Sequence, residues 1–268
     1  TVDHLTRDWD PSSPLDLSDA LLVVPTRNAG RRLRETLAIR AANHDTTGFP
    51  PLVTTPDFLI SPDRMPSVAL SNRVASSQET HWIWAALLLK LPLKEYRRNF
   101  PVDPVERSLR WACETSDDLL QVRRLLVESG HDFASAAETL AAEEMEPARW
   151  KELARLEAHA VNEAKQCGLN DEAVVQLSLP DQSQPPAEFT RLIVCGVADL
   201  RPLAASVLKT WSSHLPVELL VHAPPSESGR FDEFGRPAPA EWMNSAIPIP
   251  DPDTTIHRAN NPKEQADL

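Results

Sequence analysis

Two short apolar runs lie far apart in the chain, residues 21–24 (Leu-Leu-Val-Val) and 191–194 (Arg-Leu-Ile-Val), and neither alternates polar with apolar. Runs this short and this apolar suit buried strands of an α/β layer. Pro25 fixes the exit from the first. From Asn28 to about Ala42 the apolar positions Ala29, Leu33 and Leu37 then recur every four residues, with Arg27, Arg31 and Arg34 on the opposite side. That spacing predicts a helix with one face on a sheet and a basic face outward. Residues 52–54 read as a second strand, and Thr55 or Asp57 as the cap of a helical turn before Pro62 and Pro66. The opening is β-α-β.

Helical periodicity takes over at Ser76. Ser76-x-x-Glu79 has the spacing of a capping box, in which serine and glutamate each satisfy an otherwise unpaired helix amide. Asp103-x-x-Glu106 predicts a second start, for a helix over 105–129 that Gly130 stops. Two more fit 132–144 and 147–167, and Asn170 caps a short one to Leu177. Acidic residues outnumber basic ones 18 to 12 over 76–180, which reads as four or five helices of a plain helical subdomain. After a Pro-rich linker over 180–186, strand 191–194, a helix over 202–213 and strand 217–222 follow. The order predicts one α/β domain, 1–75 with 186–268, interrupted by a helical insertion over 76–185. Residues 223–262 hold eight prolines and little periodicity. Residues 256–258 read as an edge strand and 262–268 as the first turns of a helix, so a fragment of a longer protein is expected.

Several chemistries are missing from the sequence. Seven glycines against 25 prolines make glycine-dependent phosphate loops scarce, there is no Gly-Lys dipeptide, and the first glycine, Gly30, already lies inside the first helix. A P-loop needs glycines whose amides wrap phosphates and a lysine that reaches the last of them. No Gly-x-Ser-x-Gly elbow occurs, and neither the eight histidines nor Cys113, Cys167 and Cys195 fall at metal-ligand spacing. Three scattered cysteines suit a reducing cytoplasm. No apolar run reaches membrane-span length, and five aspartates in the first 20 residues are unlike a signal peptide. A net charge of −12 argues against a protein that coats nucleic acid over its whole surface, but leaves room for a local basic strip. Arg27 to Arg40 is that strip, five arginines against one glutamate.

Residues 21–37 (Leu-Leu-Val-Val-Pro-Thr-Arg-Asn-Ala-Gly-Arg-Arg-Leu-Arg-Glu-Thr-Leu) resemble the opening strand and helix of AddB-type subunits of bacterial helicase-nucleases, commonly an apolar strand, Pro-Thr-Arg and a Leu-Arg-Glu helix. They are also similar to the motif Ia segment of UvrD-like helicases. Residues 53–59 (Val-Thr-Thr-Pro-Asp-Phe-Leu) are placed like the next segment in both groups, and residues 192–202 (Leu-Ile-Val-Cys-Gly-Val-Ala-Asp-Leu-Arg-Pro) like the later strand and helix start. In an active helicase that strand ends in Asp-Glu, which hold magnesium and position the attacking water. Cys195 and Gly196 stand at those Walker B positions here and can do neither, the same kind of replacement that AddB-type subunits show.

The resemblance implies a P-loop-NTPase or RecA-like helicase domain lacking its P-loop, interrupted by the helical insertion. It implies no catalysis and no cofactor in this chain, with the PD-(D/E)XK nuclease domain of such proteins lying further downstream. Its partners would be single-stranded or unwinding DNA and an AddA-like motor subunit, in DNA repair and recombination, with no membrane. Arg27, Asn28, Arg31, Thr54 and Thr55 are the expected DNA contacts, since backbone recognition needs only arginines, amides and hydroxyls along a groove. The competing reading is a purely structural interaction module without DNA contact, supported by the acidic balance and by Trp82, Trp84, Trp111 and Trp150, which serve either as core or as interface anchors.

Overall fold

The computed structural model describes residues 1–62, 70–243 and 251. Two units make up the chain, Thr1–His222 and Ala223–Leu268. The first opens with a short helical turn α1 (Val2–Leu5), strands β1 (Leu15–Asp16) and β2 (Ala20–Val23), helix α2 (Arg27–Ala42), strands β3 (Gly48–Phe49) and β4 (Leu52–Thr54), and a 3₁₀ turn over Pro56–Ile60. Five helices follow: α3 (Ser77–Lys90), α4 (Leu109–Glu128), α5 (Phe133–Ala142), α6 (Pro147–Gln166) and α7 (Glu172–Gln182), with a 3₁₀ turn Leu93–Glu95 between the first two. Strand β5 (Arg191–Cys195), helix α8 (Pro202–Trp211) and strand β6 (Val217–Leu220) complete the unit. The protein is thus a mixed α/β chain with parallel sheets and a run of helices between β4 and β5.

The main sheet is parallel throughout, in the order β4-β2-β5-β6, while β1 and β3 pair as a separate parallel ribbon. Every residue of β2 is buried, because the strand is interior in the sheet and covered on both faces. Ala20, Leu22 and Val24 join Ile193 and Cys195 in one cluster with Leu37 and Ala41 of α2. Leu21, Leu192 and Val194 point the other way and are equally buried. The connection through α8 runs in the opposite direction along the sheet from that through α2, so right-handed crossovers put the two helices on opposite faces. Gly30 explains how close α2 comes to its face: a Cβ there would meet Val53 Cγ1 at 2.8 Å. The ordinary cost of glycine inside a helix is offset by that approach.

The helical stretch has a core of its own, in which Trp84, Leu88, Phe133, Leu156 and Ala160 are among the buried residues. Trp111 and Trp150 pack half-buried against it and Trp82 is 48% exposed. Beneath this core runs a buried ionic network. Arg123 of α4 donates from Nε to Glu157 of α6 at 2.5 Å and from both Nη atoms to Asp171 at 2.9 and 2.8 Å. Glu157 also accepts the Phe133 amide at 2.8 Å, and Asp171 the Val174 amide at 3.2 Å. One guanidinium therefore ties α4 to α6 and to the amino ends of α5 and α7, and its central carbon lies 5.5 Å from the centre of the Trp84 ring. Burial pushes Arg123 toward losing its proton, and the hydrogen bonds and charge of Asp171 and Glu157 more than reverse this, so its pKa stands above the usual value.

Several predicted boundaries move. The Ser76 and Glu79 capping box forms as expected. Thr55 does not cap with its side chain. The second start lies at Ser108, whose hydroxyl accepts the Trp111 amide at 3.3 Å, because Asp103 is engaged by Arg97 at 3.1 and 2.9 Å instead. Asp171, not Asn170, caps α7, and Asn170 turns its amide to the Asn72 carbonyl at 2.7 Å. The helix runs on through Pro180 into the expected linker. In the second unit, a 3₁₀ turn Pro225–Arg230 and a short α9 (Pro239–Met243) flank a turn held by Asp232, which accepts the Phe234 and Arg236 amides at 2.9 Å each. Trp242 meets Phe231 edge-on at 5.9 Å and Arg230 over its ring at 5.0 Å. The strand expected over 256–258 and the helix over 262–268 lie outside the described residues.

Replacing Arg123 by Met strands two carboxylates in the interior, so Arg123→Met lowers unfolding free energy by about 3–5 kcal/mol, the usual cost of breaking one side of a buried pair. Urea denaturation followed by far-UV circular dichroism reads that decrease. Acid acts through a different set of carboxylates. Hydrogen bonds to its Arg73 and Ser76 partners hold Glu79 well below the usual range. Burial raises Asp132, but the Ser135 amide and hydroxyl prevail and lower it. Asp103 is lowered by Arg97. Because these pKa values are lower folded than unfolded, the unfolded chain binds more protons just below about pH 4. Stability is therefore fully present above that pH and falls as the solution is acidified through it, which a series of thermal melts from neutral to acid pH detects.

Candidate functional site

The parallel strands all end on one edge of the sheet. In register, Thr54 of β4 stands beside Val23 of β2, and Val194 of β5 stands on the other side of Val23. The Val24 amide donates to the Thr54 carbonyl at 2.9 Å, which extends the ladder one residue past β2. Chain connections leave β2 toward β4 and leave β5 toward β6, in opposite directions. The crevice between the carboxyl ends of β2 and β5 is therefore the point where an open α/β sheet offers room for a ligand.

Three strand ends, those of β2, β4 and β5, lie side by side on that edge. Pro25 to Asn28 leaves β2 exposed and enters α2, with the Thr26 hydroxyl accepting the Ala29 amide at 3.1 Å as the cap. This leaves the Arg27 and Asn28 amides without an intrahelical acceptor at the positive end of a 16-residue helix, an arrangement suited to anions. Asn28 Oδ1 accepts from Arg31 Nη2 at 3.0 Å, and Arg31 lies 3.9 Å from Glu35 with two thirds of its side chain exposed. Arg40, at the far end of α2, pairs with Asp3 at 2.6 Å. Among the described residues Arg27, Arg32 and Arg34 have no carboxylate at ion-pair distance. Thr54 and Thr55 are half-buried in the adjoining loop. Arg27 and Asn28 after β2 and Thr54 and Thr55 at the end of β4 thus lie at one edge of the sheet, with Arg31 one turn further along α2.

Cys195 and Gly196 end β5 across the crevice. Gly196 has φ 62°, the left-handed region that favours glycine, and its amide donates to the Leu220 carbonyl at 2.8 Å. Cys195 is buried, and burial pushes its thiol up to about 11. It is neutral at ordinary pH and offers no thiolate for nucleophilic work. Among the described residues no group of three or more His, Cys, Asp or Glu is arranged to hold a metal ion, and no helix is long and apolar enough to cross a membrane. No protein-family model matches the chain, and no curated protein matches it.

One feature of the edge escaped the sequence. Thr26 is the residue that shapes the approach to α2, yet only its position before the basic helix hinted at a cap. The thiols give a direct check on the geometry. Iodoacetamide at mildly alkaline pH modifies the exposed Cys167 while Cys195 stays unmodified until the chain is unfolded, as peptide mass spectrometry reads. Equal labelling of both in the native protein contradicts the packing of β5.

Proposed function

We propose that this chain is the degenerate helicase-like region of an AddB-type repair subunit, a cytoplasmic RecA-like domain without a P-loop and with a helical insertion. It holds single-stranded DNA along the carboxyl edge of its sheet and docks an AddA-like motor subunit, without chemistry of its own. The observation that carries this reading is the meeting of the Pro-Thr-Arg strand end, the Thr54-Thr55 strand end and the Cys195-Gly196 strand end on one edge of a single parallel sheet. Those are the three segments that resemble the helicase-nuclease subunits, and more than 130 residues of mostly helical chain separate the second from the third.

Physical chemistry supports the assignment of roles. Arg27 and Arg31 with two free amides supply phosphate contacts, and the two threonines supply hydroxyls, all without reference to base identity. Cys195, buried and protonated, replaces a metal-binding carboxylate by an inert group, so the fold keeps its strand-holding edge without nucleotide hydrolysis. The second reading, a docking module with no DNA contact, draws on the half-exposed Trp82 and the acidic helical stretch. A basic protein surface would meet that stretch favourably.

Anisotropy of a labelled oligothymidylate of about 20 nucleotides, longer than the ~4–16 that one single-strand-binding fold covers, separates the two. Binding weakens with salt, and Arg27→Ala/Arg31→Ala lowers affinity about tenfold and flattens the slope of log affinity against log salt by about 1.4, roughly 0.7 for each phosphate of a single strand that is no longer neutralised. Absence of binding at low salt with the folded chain overturns the DNA reading and favours the docking module.

A further inference from the structure

A cleft of about 500 Å³ opens between the 3₁₀ turn that follows β4, the carboxyl half of α4, the start of α7 and Arg201. It begins at Asp57, three residues beyond Thr54, and so continues the edge described above. At its mouth two arginines from distant parts of the chain converge on a single oxygen. Glu128 Oε1 accepts from Arg124 Nε at 2.9 Å and from Arg201 Nη1 at 2.6 Å. Arg124 precedes Glu128 by one turn of α4, and Arg201 lies at the entrance to α8, six residues past Cys195. The glutamate side chain is 15% exposed and that of Arg124 is 75% exposed.

Two guanidinium groups held around one anionic oxygen form the same arrangement that binds a phosphate oxygen. The carboxylate occupying it belongs to the protein. The other charged residues lining the cleft are Asp57, which reaches Arg201 at 3.5 Å, Glu172 at the start of α7, and Arg123, which is already engaged by Glu157 and Asp171. We propose that the cleft mouth is a phosphodiester-binding extension of the DNA edge, and that Glu128 occupies the phosphate position and holds Arg124 and Arg201 until a strand displaces it. The inference rests on the DNA-holding reading of the edge and adds an internal competitor to it. Because Glu128 is attached to the same helix as Arg124, rotation of its side chain clears the position without moving the backbone.

Glu128→Gln tests this in the full chain with the same labelled oligothymidylate. The variant binds about fivefold more tightly than the unaltered chain, and its salt slope steepens by about 0.7, the increment for one further phosphate contact. The gain disappears when Arg124→Ala and Arg201→Ala are added. Glu114→Gln serves as the control for charge alone, since Glu114 pairs with Arg110 one turn apart on the same helix and removes the same charge; it leaves affinity unchanged. If the Arg201 variant fails to fold in a thermal melt, Glu128→Gln with Arg124→Ala alone carries the test, and at least half of the added slope vanishes. A Glu128→Gln chain that binds no tighter, or whose gain survives removal of the arginines, overturns the inference. When this happens while Arg27→Ala/Arg31→Ala still weakens binding, only the inference falls; when neither the original chain nor Glu128→Gln binds, the DNA reading of the edge falls with it.

Discussion

The helical stretch is organised around one buried cation. Arg123 is 3% exposed, and an unpaired charge at that depth would be untenable, so Glu157 and Asp171 must be where they are. Each carboxylate also accepts a helix-terminal amide, from Phe133 and from Val174. The consequence is geometric as much as energetic. Fixing the guanidinium fixes the relative positions of α4, α6 and the first turns of α5 and α7, and with α4 it fixes the residues one position and five positions further on, Arg124 and Glu128. The cleft mouth thus inherits its geometry from a network whose central arginine also lines the cleft wall. A well-packed apolar set would fill the same space with less desolvation, so the ionic version makes best sense as a device for specificity of arrangement.

The sheet imposes the second constraint. Because β2 is interior and all four strands run the same way, the long excursion from β4 to β5 has to cross over β2 and return on its far side. This crossing makes the carboxyl ends of β2 and β5 neighbours and leaves a crevice between them. The two glycines that matter act on opposite sides of it. Gly30 lets α2 lie close on β4, and Gly196 turns the chain off β5 in the left-handed region.

How much of this the sequence reveals depends on the range of the interaction. Strand β4 and helix α2 were legible almost residue by residue, since apolar runs and a four-residue period are local signals, and so was the capping box at Ser76. Boundaries went astray where a distant or competing partner took the expected group. Asp103 looked like a cap and is held by Arg97 six residues earlier; Asn170 looked like one and bonds across the chain to Asn72. The Arg123 network was invisible because its members are 34 and 48 residues apart. At the site, the basic strip and the two threonines could be named from residue type and position, and the Arg124 and Glu128 pair has ordinary helical spacing. Nothing in the sequence could bring Arg201 to that pair. The Pro-rich stretch after residue 223 shows little periodicity because its order up to Trp242 comes from a turn around Asp232 and from ring contacts, neither of which has a period.

The net charge of −12 and a nucleic-acid edge are compatible once the arginines are counted by what holds them. In the helical stretch most are engaged: Arg97 with Asp103, Arg110 with Glu114, Arg123 with two carboxylates, Arg124 with Glu128. Carboxylates remain in excess there, and a phosphate backbone approaching that surface meets net repulsion. On α2 the balance is reversed, with Arg27, Arg32 and Arg34 unmatched among the described residues and the helix amino end adding partial positive charge. At moderate salt the screening length is about 8–10 Å, so the local field, not the total charge, decides where a strand can rest. On the proposed reading the acidic surface therefore has a use: it narrows the set of productive encounters to the edge where β2, β4 and β5 end and to the Arg124 and Arg201 cleft mouth, and leaves the rest of the helical surface available to a basic partner.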